Sequence, residues 1–366
     1  MSTITCFAPG RVELLGNHTD YNEGYVLSAS IPYGVKVSGA LRDDGRIVLS
    51  TRLEGESLRF EIPAGEAPVP RREWTDYPLG VVQALREAGH RIGGFEASYD
   101  SDLPAGAGLS SSAALEVSTI LLLSRLFGIT LPGIELATLC RRAENSFVGV
   151  QCGILDQVSS LFGRRDHAVF LDCRATSVET IAFPQEVSLL VIQSGVPHEL
   201  VGGEYNERRE QCRAAAEGLG VPYLRDADPE MLASSSLPDV IHRRAAHIIG
   251  ENERVLRTKE LLLAGDVASV GRLMSASHES SRVNFGNSTP SLDLLVSIAQ
   301  ATFGVHGARL TGGGFGGAIV TLVRREAAHA AGRAIASEYE RASGHQAVVL
   351  ECDLADGALV LNGFFS

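Results

Sequence analysis

The sequence predicts an α+β fold divided into two domains. A chain of 366 residues is long enough for two domains of ordinary size, or for one large domain. Strand and helix patterns are mixed along the whole length, and their order allows mostly antiparallel or mixed sheets with helices packed on them. The composition changes around Phe183-Pro184, just before a new apolar strand pattern. We therefore place a boundary near residue 185 and expect domains at 1–185 and 186–366.

Hydrophobic periodicity gives an expected position for most strands and helices. Strands, which show short apolar or alternating runs, are expected at 3–7, 47–62 (a hairpin turning at Glu54-Gly55), 95–99, 187–193, 318–323, 346–352 and 357–362. Helices are expected at 74–86, 113–127, 131–148, 243–263, 265–280 and 326–343. The first strand is expected to end at Ala8-Pro9-Gly10, because Pro and Gly interrupt regular strand pairing.

The formal net charge of −12 limits the classes of partner. An acidic protein is a poor match for nucleic acid or for an anionic membrane surface, so we expect neither as a partner. The six cysteines lack the spacing of a metal site or a disulfide framework, and the N-terminus has no signal-peptide pattern. We therefore expect a cytoplasmic protein with reduced thiols, acting as a monomer.

A glycine- and serine-rich stretch at 103–115 lies between a predicted strand and a predicted helix. Gly106 and Gly108 allow the backbone to pass close to a ligand, and three serines follow them at the start of the helix. A helix N-terminus attracts anions, so the stretch predicts a phosphate-binding loop. It lacks the Lys of the common P-loop. The alternative interpretation is an ordinary loop with a serine N-cap.

The residues at 11–21 combine Arg, Asn, His, Thr, Asp and Tyr between two apolar segments. Such a set is well suited to binding a polyol through many hydrogen bonds. The simpler alternative is a turn made by Asp20 and Asn22 with a surface Arg11.

Two carboxylates further along the chain would serve phosphoryl transfer. Glu144 lies in a helical run, and Asp156 stands at the start of another helix among apolar neighbours. Phosphoryl transfer to a hydroxyl needs a carboxylate near the attacking oxygen and cations on the phosphates. Asp156, Glu144 and Arg11 supply such a set, although Asp156 taken alone could be an ordinary helix cap.

Three motifs resemble those of galactokinases, which belong to the GHMP small-molecule kinases. Gly10-Arg11-Val12 and residues 16–21 resemble the galactokinase signature, usually written GRxNLIGEHTDY. Residues 104–114 are similar to the second motif of the GHMP kinases and 311–317 to the third, in the same order along nearly the full chain. The resemblance implies the two-domain GHMP kinase fold, with the active site in the cleft between the domains.

The resemblance also implies an activity and a role for individual residues. The implied activity is transfer of the ATP γ-phosphate to the C1 (anomeric) hydroxyl of galactose, with Mg²⁺. Asp156 would be the catalytic base, and Arg11 would stabilise charge on the phosphoryl group and keep Asp156 ionised. The implied sugar ligands are Asn17, His18, Thr19, Asp20, Gly153 and Tyr205. The implied ATP ligands are Trp74, Gly106, Ala107, Gly108, Leu109, Ser110, Ser111 and Ser112, and the implied Mg²⁺ ligands are Ser112 and Glu144.

Three of these segments carry further expectations. Trp74 opens a stretch similar to the family's WxNYxxG, which implies a place beside the adenine ring; the alternative is a half-buried packing residue. Tyr205 opens a segment similar to EYxxRRxQC, in which the Tyr contacts the sugar. The glycines of 311–317 are expected to shape the junction of the domains as well as to contact ligand.

Two departures from the family pattern affect the expected substrate. Asn17 stands where galactokinases usually carry Glu, which the resemblance places at the C6 hydroxyl of the sugar. A neutral side chain there predicts weaker galactose binding and a wider tolerance at C6, which an Asn17→Glu variant would reverse. Val283-Asn284-Phe285 also replaces the usual acidic and aromatic run near the active site.

Three alternative functions stay open at this point. The first is an anomeric kinase for another hexose, such as N-acetylgalactosamine, glucose or a uronic acid. The second is a non-catalytic sugar sensor, which the intact Ser110 to Ala114 run disfavours. The third is a kinase of the mevalonate branch, which the sequence His18-Thr19-Asp20-Tyr21 disfavours.

Overall fold

Two β-sheets form the scaffold of the protein in the computed structural model, which describes residues 3–53, 56–104, 106, 108–196 and 202–362. The strands are β1 (Ile4–Leu15), β2 (Tyr25–Leu41), β3 (Arg46–Leu53), β4 (Glu56–Pro63), β5 (Phe95–Ser101), β6 (His167–Asp172), β7 (Ser177–Ala182), β8 (Val187–Gln193), β9 (Val305–Thr311), β10 (Ala318–Arg324), β11 (Val348–Cys352) and β12 (Leu359–Asn362). The helices are α1 (Asp76–Glu87), α2 (Ser111–Phe127), α3 (Gly133–Arg142), α4 (Leu155–Phe162), α5 (Gly202–Leu219), α6 (Pro229–Ala233), α7 (Asp239–Leu263), α8 (Val267–Ser280), α9 (Pro290–Ala301) and α10 (Ala328–Ser343).

The larger sheet has eight strands, with β12, β1, β2, β5, β3 and β4 in that order and the β6–β7 hairpin attached to β2. Its pairs are antiparallel except for β3 and β5, which run parallel. The smaller sheet is antiparallel throughout, in the order β11, β8, β10 and β9. The expected class, mixed or antiparallel sheets with helices packed on them, is confirmed.

The sheets are joined by a strand and by a shared apolar core. β12 pairs with β1 in the first sheet, with Cys6 opposite Val360, although it follows the whole second sheet in sequence. One core cluster combines residues such as Val12 and Leu27 with Val191 and Val320 of the second sheet. The expected boundary at residue 185 divides strands β1–β7 of the first sheet from strands β8–β11 of the second. β12 and one apolar core cluster join the two sides.

β1 is longer than the sequence indicated, because the predicted end at Ala8-Pro9-Gly10 is a bulge and not a terminus. The register against β2 shifts between Pro9 and Arg11, and the strand then continues to Leu15. A bulge tolerates Pro because the ladder hydrogen bond is already missing there. Arg11 and Glu13 consequently lie on a buried strand rather than on a loop.

The predicted helix at 131–148 is divided in two, since α3 ends at Arg142 and a π-helical turn covers Ala143–Val148. Gly149, with φ of 92°, ends that turn.

The 47–62 hairpin is confirmed as β3 and β4, and its turn at Glu54-Gly55 lies outside the described residues. In the described part of the chain, no helix has both the length and the apolar content to cross a bilayer.

Candidate active site

A cavity of about 430 Å³ lies where β1, the N-terminus of α2, α4, α5 and the glycine turn after β9 meet. Both halves of the chain contribute to its wall. The residues singled out from sequence that line it are Arg11, Asn17, His18, Asp20, Gly106, Gly108, Leu109, Ser110, Ser111, Ser112, Glu144, Gly153, Asp156 and Tyr205. The structure therefore brings most of the predicted site residues together, from segments that are far apart in sequence.

Arg11 and Asp156 form an ion pair in this cavity. Arg11 Nε donates to Asp156 Oδ1 at 2.8 Å, and Arg11 Nη1 donates to the carbonyl oxygen of Gly108 at 2.7 Å. Arg11 is 5% exposed, whereas the Asp156 side chain is 28% exposed and can be reached from the cavity. Because α4 starts at Leu155, Asp156 lies in the first turn of that helix, as predicted. One guanidinium thus connects the carboxylate to the phosphate-binding loop.

The start of α2 has the features of an anion site. Ser110 precedes the helix in a left-handed conformation, with φ of 59°, and no side chain caps the helix. Its hydroxyl is buried and has no hydrogen-bond partner among the described residues. Gly106 and Gly108 also have positive φ, which leaves the backbone of the loop open toward the cavity. Free N–H groups at a helix start and an unpaired hydroxyl suit a phosphate group.

A buried cluster of side chains with oxygen atoms, centred on Glu144, lies beside the start of α2. Glu144 Oε2 accepts from Gln157 Nε2 at 2.9 Å and from Cys152 Sγ at 3.2 Å, and Ser112 also hydrogen-bonds to Glu144. Burial, and next the charge of Asp156, raise the pKa of Glu144 to about 7. These hard oxygen donors beside a phosphate-binding loop fit a divalent cation such as Mg²⁺.

Sequence reasoning missed a second buried carboxylate in this group. Glu116, fully buried in α2, accepts from Gln157 Nε2 at 3.1 Å, so that one amide group holds both Glu116 and Glu144. Burial and the charge of Glu144 raise the pKa of Glu116. The spacing of four residues between Ser112 and Glu116 could have indicated it, since residues four apart share a helix face.

Asp20 and Gly153 are in close contact in the wall of the cavity. A Cβ atom built on Gly153 would lie 1.8 Å from Asp20 Oδ2, so only glycine fits while Asp20 keeps its position. The backbone N–H of Tyr21 donates to Asp20 Oδ1 at 2.9 Å. Burial, followed by the charges of Asp156 and Glu13, raises the pKa of Asp20 to about 7.

A Gly153→Ala variant tests this contact. We expect the new methyl group to displace the Asp20 carboxylate and to raise the KM for the acceptor sugar about tenfold, as for one lost hydrogen bond to a charged group. The KM for the phosphoryl donor should stay the same. Gly65→Ala is the control, because a Cβ there meets no atom within 4 Å and Gly65 does not have a positive φ. An unchanged sugar KM in Gly153→Ala would show that Asp20 is not a sugar ligand.

His18 is held by protein groups through both ring nitrogens. Nε2 donates to the carbonyl oxygen of Gly313 at 2.9 Å, and Nδ1 accepts from the Tyr21 hydroxyl at 2.8 Å. Burial lowers the pKa of His18 to about 3, so the ring is neutral. The rings of Tyr205 and Phe285 pack on it with centroid distances of 5.0 and 4.6 Å. Through Phe285, the altered 283–285 segment therefore supports the loop between β1 and β2, which carries His18.

Two predicted ligands, Thr19 and Trp74, do not line the cavity, and a third lies outside the described residues. Thr19 is fully buried, and its hydroxyl is engaged with the carbonyl oxygens of Gly16 and Tyr25, so it holds the loop instead of facing a ligand. Trp74 packs on the core of the first sheet, edge-on to Tyr99 at 5.6 Å, and its contact with adenine stays a prediction. Ala107 lies outside the described residues.

Comparison with known proteins agrees with this geometry. Family models match at residues 2–40 (galactokinase galactose-binding signature), 76–164 (GHMP kinases N terminal domain) and 258–341 (GHMP kinases C terminal). A galactokinase of Glaesserella parasuis is 41% identical over 367 residues, covering 98% of this chain and 95% of its own length. A galactokinase of Roseiflexus is 42% identical, with 96% and 91% covered. The chain belongs to the galactokinase family.

Solved structures extend the similarity to the three-dimensional fold. The galactokinase of Lactococcus lactis, complexed with galactose, superimposes with a TM-score of 0.94 at 31% identity, covering 98% of this chain and 95% of that one. A mevalonate kinase of Methanococcus jannaschii gives a TM-score of 0.69 at 19% identity, which indicates a shared GHMP kinase fold alone.

Within this galactokinase-family signature, Glu13 is a further cavity residue that sequence reasoning missed. Arg309 Nη1 donates to Glu13 Oε1 at 3.0 Å, and the Arg309 side chain is fully buried. Burial raises the pKa of Glu13, and the guanidinium groups of Arg309 and Arg11 lower it in part. The signal was available, because Glu13 stands where the GRxNLIGEHTDY pattern has Asn.

The third glycine motif shapes this site through its carbonyl groups. The carbonyl oxygen of Gly312 accepts from Asn17 Nδ2 at 2.8 Å, and that of Gly313 accepts from His18 and Asn287. A Cβ on Gly312 would lie 3.0 Å from the carbonyl oxygen of Gly108. The motif thus holds the loop between β1 and β2 next to the glycine- and serine-rich loop before α2.

Proposed function

We propose that this protein transfers the γ-phosphate of ATP to the C1 hydroxyl of galactose, giving galactose 1-phosphate and ADP. The observation that carries the proposal is the Arg11–Asp156 ion pair, which contacts the loop before α2 at Gly108 and lines the same cavity as Asp20. Asp156 is the group that accepts the proton of the C1 hydroxyl. Arg11, fixed to the Gly108 carbonyl, is positioned to stabilise negative charge on the transferred group.

The choice of galactose rests on the relatives and on the sugar loop. Two relatives at 41% and 42% identity are named galactokinase, and the Lactococcus lactis protein was solved with galactose bound. Asp20 and Tyr205 are the polar groups on the sugar side of the cavity that we assign to ring hydroxyls.

The residues near α2 fit ATP with Mg²⁺. The N–H groups at the start of α2 would hold phosphate oxygens, and Ser112 with Glu144 would hold the cation. When bound, the cation neutralises charge on the phosphates.

Free thiols at all six cysteines support the expected cytoplasmic location, and we expect a monomer.

A Glu144→Gln variant tests the cation site. Removing the charge leaves a neutral oxygen in the same place, so we expect the Mg²⁺ concentration for half-maximal activity to rise about tenfold, while galactose binding measured without nucleotide stays the same. Glu135→Gln, an acid on neighbouring α3 outside the cavity, is the control. An unchanged Mg²⁺ requirement would make Glu144 a structural residue.

The overall proposal is tested with a panel of free sugars and ATP, read by ADP release. We expect the highest kcat/KM for galactose, with glucose and N-acetylgalactosamine much lower. ADP release with another hexose but not with galactose would contradict the proposed substrate, and no release with any sugar would contradict the proposed activity.

A further inference from the structure

Glu13 and Asn17 contact each other in the wall of the cavity. Asn17 Nδ2 donates to the carbonyl oxygen of Gly312 at 2.8 Å and lies 3.4 Å from Glu13 Oε2. Asn17 Oδ1 accepts from Asn287 Nδ2 at 2.8 Å. The Asn17 amide is therefore already bound to protein groups at both ends. It is placed to orient Glu13 and has little capacity left for a ligand.

The Glu13 carboxylate, by contrast, has an acceptor site available. Oε1 is held by Arg309 at 3.0 Å, and within the described residues the long contact from Asn17 is the one hydrogen bond recorded for Oε2. A carboxylate oxygen can accept two hydrogen bonds. Since Glu13 lines the cavity, Oε2 is available to a hydroxyl group of a bound molecule.

The position of Glu13 on β1 indicates which part of the sugar it meets. Arg11 and Glu13 are two residues apart, so their side chains point to the same face of the strand and are separated by about 7 Å along it. Arg11 holds Asp156, the group assigned to the C1 hydroxyl. Glu13 therefore faces a hydroxyl further along the sugar from C1.

We propose that Glu13 selects the sugar by accepting a hydrogen bond from its C6 hydroxyl, with Asn17 as a positioning residue; this rests on the function proposed above. The signature GRxNLIGEHTDY has Asn at position 13 and Glu at position 17, so this chain carries the same two side-chain types in exchanged places. One carboxylate and one carboxamide remain at this end of the cavity. The exchange argues against the wider C6 tolerance that Asn17 alone predicts.

The first experiment compares galactose, 6-deoxygalactose and galacturonic acid as substrates of the unaltered protein. Loss of the C6 hydroxyl should lower kcat/KM at least about tenfold, and the galacturonate carboxylate should be rejected more strongly because it faces Glu13. If the protein phosphorylates galactose but treats the three sugars alike, the role of Glu13 is overturned while the kinase function stands. If galactose is not phosphorylated at all, the proposed function itself fails.

The second experiment is a cycle of Glu13→Asn, Asn17→Glu and the double variant. Glu13→Asn also breaks the buried ion pair with Arg309, so activity should fall on both sugars, but more on galactose than on 6-deoxygalactose. The remaining activity on 6-deoxygalactose shows that the variant is folded. Asn17→Glu should be worse than the parent on galactose, because the new carboxylate faces Glu13 and the Gly312 carbonyl oxygen. The double variant should recover most of the preference for galactose over 6-deoxygalactose.

The preference for galactose over 6-deoxygalactose is the decisive readout, since a merely structural defect would lower activity on both sugars by the same factor. A Glu13→Asn variant that keeps the parent's ratio would overturn the proposal. A double variant whose losses are the sum of the two single losses would show that the two positions do not act as a pair.

Discussion

An Asp156→Asn variant is expected to lose at least ~10²-fold in kcat, because the amide cannot accept the proton of the attacking hydroxyl. The substitution keeps the size of the side chain and a hydrogen-bond acceptor for Arg11 Nε. Galactose and ATP should still bind, since Asp156 contributes one hydrogen bond among many in the cavity. Steady-state kinetics with calorimetric titration of galactose separates the chemical step from binding.

The matched control is Asp172→Asn, which makes the same change in a second Arg–Asp ion pair, with Arg225, away from the cavity. Its kcat should equal that of the parent. Near-normal turnover in a folded Asp156→Asn protein would exclude Asp156 as the base. The mechanism would then depend on stabilisation of the transferred charge by Arg11 and the phosphate loop.

The second prediction concerns the free energy of unfolding. Arg309 is fully buried, and Nη1 donates to the carboxylate of Glu13 at 3.0 Å and to its backbone carbonyl oxygen at 3.2 Å. An Arg309→Met variant leaves the Glu13 carboxylate buried without its cation. We expect the free energy of unfolding to fall by about 3 kcal/mol, as for other broken buried ion pairs. Urea unfolding followed by the fluorescence of Trp74, the single tryptophan, measures it.

Two controls separate the buried charge from other causes. Arg213→Met breaks exposed pairs with Glu210 and Glu217 and should lower the free energy of unfolding much less, because water screens exposed charges. The double variant Glu13→Gln with Arg309→Met removes both charges and should recover much of the loss. Equal unfolding free energies for Arg309→Met and Arg213→Met would mean that the buried pair does not stabilise the fold.

The sequence indicated most of the residues that line the cavity, but not Glu13, and it did not indicate how the polar groups are used. Ser110, Ser111 and Ser112 were identifiable because a glycine loop before an apolar helix has a local pattern. Thr19 could not be recognised as a loop-holding residue, since its two acceptors become visible only when the loop is folded. The first strand was also predicted to end at Ala8-Pro9-Gly10, because the bulge that continues it depends on the register with β2.

Contacts between distant segments explain the remaining differences. Nothing local in residues 359–362 indicates that they pair with β1, the first strand of the chain. The role of Arg309 likewise depends on Glu13, which lies in the other sheet. Where a property depends on which segments meet in space, a single sequence carries no periodic signal for it.

The pairing of β12 with β1 has a consequence for folding during synthesis. Of the described strands, β1 is synthesised before the others, and β12, its partner on that edge, is synthesised after them. Until then β1 presents unpaired backbone groups, which can pair with the strands of other nascent chains. Pairing β1 with β12 brings together residues that are far apart in sequence, which has an entropic cost. Contacts of this kind raise the contact order, so we expect them to slow folding. Among the described strands, the last in the sequence thus completes the sheet that the first one begins.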